Sequence, residues 1–198
     1  MTDVAIIANG GANIASLRFA LDRLGASSRL TSDPAELRSA PRVILPGVGA
    51  AADAMDRLRA LQLVEVIPTL RQPVLGICLG MQLLFDASEE GDTPCLGLIP
   101  ARVVRFPQRD GLPVPHMGWN RVHVRAASPL LDGLDDDPYL YFVHSFAAPV
   151  GPWTLASTDY GGEFSAVVRQ GNFHGAQFHP ERSSRAGSRL LANFLELK

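Results

Sequence analysis

Cysteine is scarce in this chain: two residues in 198, Cys78 and Cys95. Two thiols that far apart make neither a disulfide framework nor a metal-ligand spacing. Charge of either sign is not in excess, with a net charge of −2. That excludes a strong field for nucleic acid or an anionic membrane surface. No apolar run reaches the roughly 18 residues that a membrane-spanning helix needs. The opening Met1-Thr2-Asp3-Val4 lacks the basic segment of a secretory signal. A cytosolic location is therefore the expectation, because a working thiol must stay reduced. Repeats, low-complexity stretches and linker-like segments are also missing, so one domain over 1–198 is expected. Hydrophobic residues make up 46% and charged residues 19%, which places the chain among globular rather than disordered proteins.

The first half alternates apolar runs with helical periodicity. Val4–Ala8, a weaker Ser28–Thr31, Arg42–Leu45 and Val74–Ile77 read as strands. Between them, Ala15–Leu24 places Leu17, Ala20, Leu21 and Leu24 on one helical face. Asp33 is placed to cap a short helix from Pro34 to Ser39. Ala51–Leu61 and Leu63–Leu70 read as helical, with Pro68 as a kink or an end, and a helix-like run spans Leu79 to Phe85. Strands separated by helices predict a mostly parallel sheet with helices on both faces, a three-layer α/β sandwich. The second half changes character. Residues 86–97 read as a polar loop. Ala101–Arg105, Asn120–Val124, Tyr139–His144, Trp153–Ser157, Ala166–Arg169 and Phe173–Gln177 read as strands added antiparallel, and Gly187–Leu197 as a closing helix.

The stretch with most chemistry is Gly76-Ile77-Cys78-Leu79-Gly80-Met81-Gln82. A cysteine between two glycines, at the end of a buried strand and the start of a helix, has the form of a nucleophile elbow. The glycines allow a sharp turn and close backbone approach, and a helix N-terminus beside the sulfur favours thiolate. A buried structural cysteine fits the same stretch taken alone.

Far along the chain comes Gln177-Phe178-His179-Pro180-Glu181. A thiol nucleophile needs a base, and the base needs an orienting group. His179 and Glu181 supply both types two residues apart, on one side of an extended segment. Pro180 keeps His179 extended. A surface turn accounts for these residues in isolation; with the elbow, a Cys78/His179/Glu181 triad explains both. Such a triad needs an oxyanion hole. Pro46-Gly47-Val48-Gly49 follows a strand and can turn N–H groups towards a ligand, although an ordinary turn would look the same. The N–H of Leu79 would be the second donor. Gly10, Gly47 and Cys78 all fall at strand carboxyl ends, where ligands bind in open α/β sheets.

These motifs, in this order, resemble the class I (triad) glutamine amidotransferases. His116-Met117-Gly118-Trp119-Asn120 and Tyr141-Phe142-Val143-His144-Ser145 are similar to segments of the glutaminase subunits of imidazole glycerol phosphate synthases. The resemblance implies hydrolysis of L-glutamine by Cys78, His179 and Glu181, with the N–H groups of Val48 and Leu79 as the oxyanion hole. It implies substrate contacts from Gly49, Gln82, Glu90 and Ser145, and no metal or organic cofactor for this half-reaction. It further implies a partner, a separate (βα)₈-barrel synthase that receives the ammonia for histidine biosynthesis, contacted through Asn13, Trp119 and Tyr141. Gln82, one helical turn beyond Cys78, would face the same cleft. Gly10-Gly11-Ala12-Asn13 is too short for a dinucleotide fingerprint. His116, His123, His144 and His174 are expected to be structural or exposed. Two departures stand out: Ala8-Asn9, where many relatives have Asp at the first position, and Phe146, where many have Tyr. A glutaminase of another pathway and a non-enzymatic redox sensor of similar fold are the competing readings. The first is disfavoured by His116–Asn120, and the second has no use for His179-Pro180-Glu181.

Overall fold

The computed structural model describes residues 3–10 and 14–198. In its first half, strands and helices alternate: β1 (Asp3–Ile7), α1 (Ile14–Arg23), β2 (Ser27–Thr31), α2 (Pro34–Ser39), β3 (Arg42–Leu45), α3 (Ala51–Ala60), β4 (Val74–Ile77), α4 (Leu79–Gln82) and β5 (Phe85–Ser88). The second half is mainly strands: β6 (Thr93–Pro94), β7 (Ile99–Arg105), β8 (His116–Arg121), β9 (His123–Val124), β10 (Tyr139–His144), β11 (Phe146–Ala147), β12 (Thr154–Asp159), β13 (Glu163–Gln170) and β14 (Phe173–Ala176), closed by α5 (Ser184–Glu196).

The main sheet runs β2-β1-β3-β4-β14-β13-β12-β9. Its β2-β1-β3-β4-β14 portion is parallel, and β13, β12 and β9 add antiparallel. This is the mixed, helix-flanked α/β sheet that the sequence predicts. Side chains alternate across a strand, and the inner parallel strands β1, β3 and β4 are apolar at successive positions because both faces are covered. Val4 and Ile6 of β1 pack on one side with Leu17 and Leu21 of α1 and with Leu190 and Phe194 of α5. Ala5 and Ile7 pack on the other with Leu37 of α2 and with Met55 and Leu58 of α3. Asp33 caps α2 as expected, accepting from the Ala35 N–H at 2.8 Å.

Four expectations need correction. The helix after Cys78 is a single turn, Leu79–Gln82, and the chain re-enters a strand at Phe85. Leu83, Leu84 and Phe85 are all buried, and so uniform an apolar run carries no period to tell helix from strand. Residues 63–70 hold only a short 3₁₀ turn, Ile67–Thr69, with Pro68 inside it. The stretch 86–97 is no simple loop: β5 pairs with β6 and β7, in a small sheet ordered β11-β7-β5-β6. The strand expected from Asn120 starts earlier, at His116, and pairs with β10 in a separate two-stranded sheet.

The tightest packing lies where β3, β4 and α4 meet. A Cβ on Gly80 would lie 1.9 Å from the Leu45 carbonyl oxygen, and one on Gly76 2.5 Å from the Gly80 carbonyl oxygen. Both obstacles are backbone and cannot rotate away. Overpacking of this kind costs about 3 kcal/mol, at the upper end of the usual range. For a chain of this length that is a melting temperature lower by roughly 6–12 °C. Gly80→Ala should show this loss in a thermal melt, whereas Gly25→Ala, with open space around the added methyl, should lose only what its positive φ demands.

Candidate active site

Cys78 ends β4 with φ 54° and ψ −112°, in a region that a non-glycine residue occupies only when its surroundings hold it there. They do: the Cys78 N–H donates to the Ala176 carbonyl at 2.8 Å, and the Cys78 carbonyl accepts from the N–H groups of Met81 and Gln82. This turn throws the side chain out over the carboxyl ends of the parallel strands. The single-turn α4 gives the sulfur less help from a helix dipole than a longer helix would.

His179 is extended, at φ −96° and ψ 98°, as Pro180 requires. Its Nδ1 donates to Glu181 Oε1 at 2.9 Å, with side chains 9% and 4% exposed. That bond commits Nδ1 and leaves Nε2 for Cys78. Burial opposes the charge on His179, but hydrogen bonds to Cys78 and Glu181 outweigh it and hold the imidazole well above its usual pKa. Three other histidines go the opposite way. Burial pushes His116 and His174 down to about 4 and His144 to about 3.

Cys78 and His179 share a cavity of about 300 Å³ with Val48, Gly49, Leu79, Gln82, Glu90 and Ser145. The predicted nucleophile, base, oxyanion loop and substrate contacts therefore come together, with Glu181 buried behind the histidine. Val48 and Gly49 arrive on the loop after β3, whose Pro46 carbonyl accepts from the buried Asn9 side chain at 2.8 Å. Asn9, noted in the sequence only as a departure, thus braces that loop. Glu90 has a structural task beside the cavity, since its Oε2 accepts from the Ala51 N–H at 2.8 Å at the start of α3. The Gln82 amide nitrogen is already engaged, by the Phe146 carbonyl at 2.8 Å and by Gln177 Oε1 at 2.9 Å.

Trp119 and Tyr141 are cross-strand partners on β8 and β10, packed edge to face at 5.9 Å between ring centres. Trp119 is 52% exposed and Met117 on the same strand 68%, so this ladder is no core. Asn13 lies outside the described residues. One site neighbour went unassigned in the sequence: Gln177, fully buried, with its Nε2 3.9 Å from the Cys78 sulfur. Its signal was its position two residues before His179, on the same side of an extended segment.

An α/β sheet with a cysteine elbow, a His–Glu pair and a glycine loop around one cavity defines a class of thiol-dependent enzyme. The family described as Glutamine amidotransferase class-I matches residues 6–197, and the chain belongs to it. Its relatives narrow the similarity. The chain is 56% identical over 197 residues to the imidazole glycerol phosphate synthase subunit HisH of Xanthomonas axonopodis pv. citri (strain 306), covering 100% of this chain and 98% of that one. It is 54% identical to the subunit of the same name from Xylella fastidiosa (strain Temecula1 / ATCC 700964), with the same coverage. A crystal structure of a glutamine amidotransferase superposes with a TM-score of 0.74 at 22% identity, covering 98% of this chain and 97% of that one, a likeness of fold. Among the described residues no helix is long and apolar enough to cross a membrane.

The two cysteines differ sharply in setting. Burial pushes the Cys95 thiol up to about 11 despite the pull of Arg59, whereas Cys78 opens onto the cavity beside His179. A glutamine-like electrophile at neutral pH should label Cys78 alone, as read by peptide mass spectrometry. Labelling of Cys95 with Cys78 untouched would break the assignment.

Proposed function

We propose that this chain is the glutaminase subunit of an imidazole glycerol phosphate synthase. It hydrolyses L-glutamine to glutamate and ammonia and passes the ammonia to a separate (βα)₈-barrel synthase in histidine biosynthesis. The observation that carries the reading is the cavity in which Cys78, His179 and the Val48–Gly49 loop converge, together with the relatives' shared name. The whole of 1–198 acts as one glutaminase domain, in the cytoplasm, as one half of a heterodimer.

In this mechanism Cys78 gives its thiol proton to His179 and its sulfur attacks the side-chain amide carbon of glutamine. The N–H groups of Val48 and Leu79 hold the oxyanion, and a donor of this kind contributes roughly 3–4 kcal/mol. His179 gives its proton to the departing ammonia as the C–N bond breaks, leaving a γ-glutamyl thioester. Water, deprotonated by His179, then releases glutamate and restores the thiol. Glu181 orients the imidazole and stabilises its charged form. Gly49, Gln82, Glu90 and Ser145 bind the substrate around the reacting amide. No metal or organic cofactor takes part.

The partner docks through Asn13, Trp119 and Tyr141, two of them on the β8–β10 ladder whose Trp119 is exposed. Docking shifts the Val48 peptide from an inactive orientation, with its N–H turned away, to an active one. Glutamine is then spent only when the synthase can use the ammonia.

The decisive assay is glutamine-dependent turnover with and without the synthase. Cys78→Ser should abolish that turnover and leave ammonia-dependent synthesis intact. His179→Ala should lose about a thousandfold or more in kcat, and Glu181→Gln measurably less. A Glu181→Gln enzyme with full activity at saturating glutamine would remove that residue from the triad.

Stimulation by the partner gives a separate check. The synthase with its nucleotide substrate should raise glutaminase turnover, and Trp119→Ala should lower the stimulation ratio more than the basal rate. An unchanged ratio would take Trp119 out of the coupling.

A further inference from the structure

We propose that Gln177 is a positioning residue for the Cys78 sulfur and that Gln82 braces it, an inference that rests on the glutaminase reading. The orientation of both amides follows from one backbone group. The Phe146 carbonyl can only accept, so the Gln82 atom 2.8 Å from it is the amide nitrogen. That nitrogen's second N–H goes to Gln177 Oε1 at 2.9 Å. With its oxygen so committed, Gln177 turns its own nitrogen to the Cys78 sulfur, 3.9 Å away. Flipping Gln177 would set two N–H groups against each other, and with both side chains buried no water is at hand to compensate.

The same carbonyl is held from a second side. His144 Nδ1 donates to it at 2.7 Å, which leaves His144 Nε2 to accept from His116 Nδ1 at 3.4 Å. Both rings are neutral because they are buried, so the polarity of this chain is fixed as well. Phe146 thus anchors the two glutamines rigidly.

The Val143 carbonyl lies 3.8 Å from the sulfur and can only accept. Once the proton has moved to His179, that carbonyl offers the sulfur nothing, and the Gln177 N–H becomes a charge-assisted donor to it. Gln177 then fixes the direction in which the sulfur presents itself to the substrate carbon. Its loss should appear in kcat rather than in KM.

The test uses the chain in complex with its synthase partner. Gln177→Met keeps the volume and removes the donor. It should lower kcat for glutamine about tenfold with KM within about twofold, the pattern of a lost transition-state alignment. Gln177→Glu keeps an acceptor for Gln82 but turns an oxygen to the sulfur. Its activity should fall further at neutral pH and recover on acidification, as the protonated carboxyl regains a donor, whereas the wild type gains nothing. A third measurement leaves Gln177 intact: with ¹⁵N-labelled glutamine, Cys78→Ala should shift one buried side-chain amide pair in the NMR spectrum. Wild-type kcat in Gln177→Met, a rise in KM parallel to the fall in kcat, or an amide spectrum indifferent to Cys78→Ala would each overturn the proposal. If neither Gln177 variant folds, the amide spectrum decides. A wild-type complex that cannot hydrolyse glutamine would instead sink the glutaminase reading and leave the amide spectrum as the test of position.

Discussion

Backbone meets backbone where Gly80 lies against the Leu45 carbonyl and Gly76 against Gly80, and the remainder of the site is built from that contact. Without side chains between them, the end of β3, the end of β4 and the first turn of α4 come closer than any other residue type would allow. The closeness drives Cys78 into its positive-φ conformation. It also seats the Pro46–Gly49 loop beside the nucleophile, because Gly47 packs on Leu79 and Gly80. The oxyanion loop and the sulfur are therefore placed by one steric event rather than by two.

Much of this was legible in the sequence because the responsible signals are local. Asp33-Pro34 marks a helix start by capping and by proline's fixed φ, and Pro180 holds His179 extended. The alternating apolar segments of the first half predict the parallel sheet for the same reason. What stayed hidden depends on contacts between distant residues. Leu83-Leu84-Phe85 is apolar on every side, so its switch from helix to strand is decided by pairing of Phe85 with Ile99 of β7, across an intervening turn and strand. The Glu90 contact with the Ala51 N–H and the Asn9 contact with Pro46 bridge 39 and 37 residues. No window of sequence contains both partners of either bond.

The histidines show how environment alone assigns chemistry. Burial holds His116, His144 and His174 in the neutral form, and positive charge nearby, Arg169 for His174 and His179 for His144, works in the same direction. His179 is buried too, but a carboxylate on one side and a sulfur on the other reverse the balance. Residue type and burial are shared by all four. The counter-charges around His179 make the difference.

β10 ties the two reacting side chains together. Its Tyr141 carbonyl accepts the His179 N–H at 2.9 Å, its Val143 carbonyl receives the Cys78 thiol at 3.8 Å, and its Tyr141 N–H donates to Ser183 Oγ just beyond the histidine. Alternate carbonyls along a strand point the same way, about 7 Å apart. Nucleophile and base, which lie a hundred residues apart in sequence, are thus gauged against one ruler. That ruler is also the pairing partner of β8, the strand carrying Trp119, in their two-stranded sheet. A force that slides or twists this strand would not move sulfur and imidazole independently; it would change their spacing as a pair, turning a sheet edge into a fine adjustment of the reacting distance.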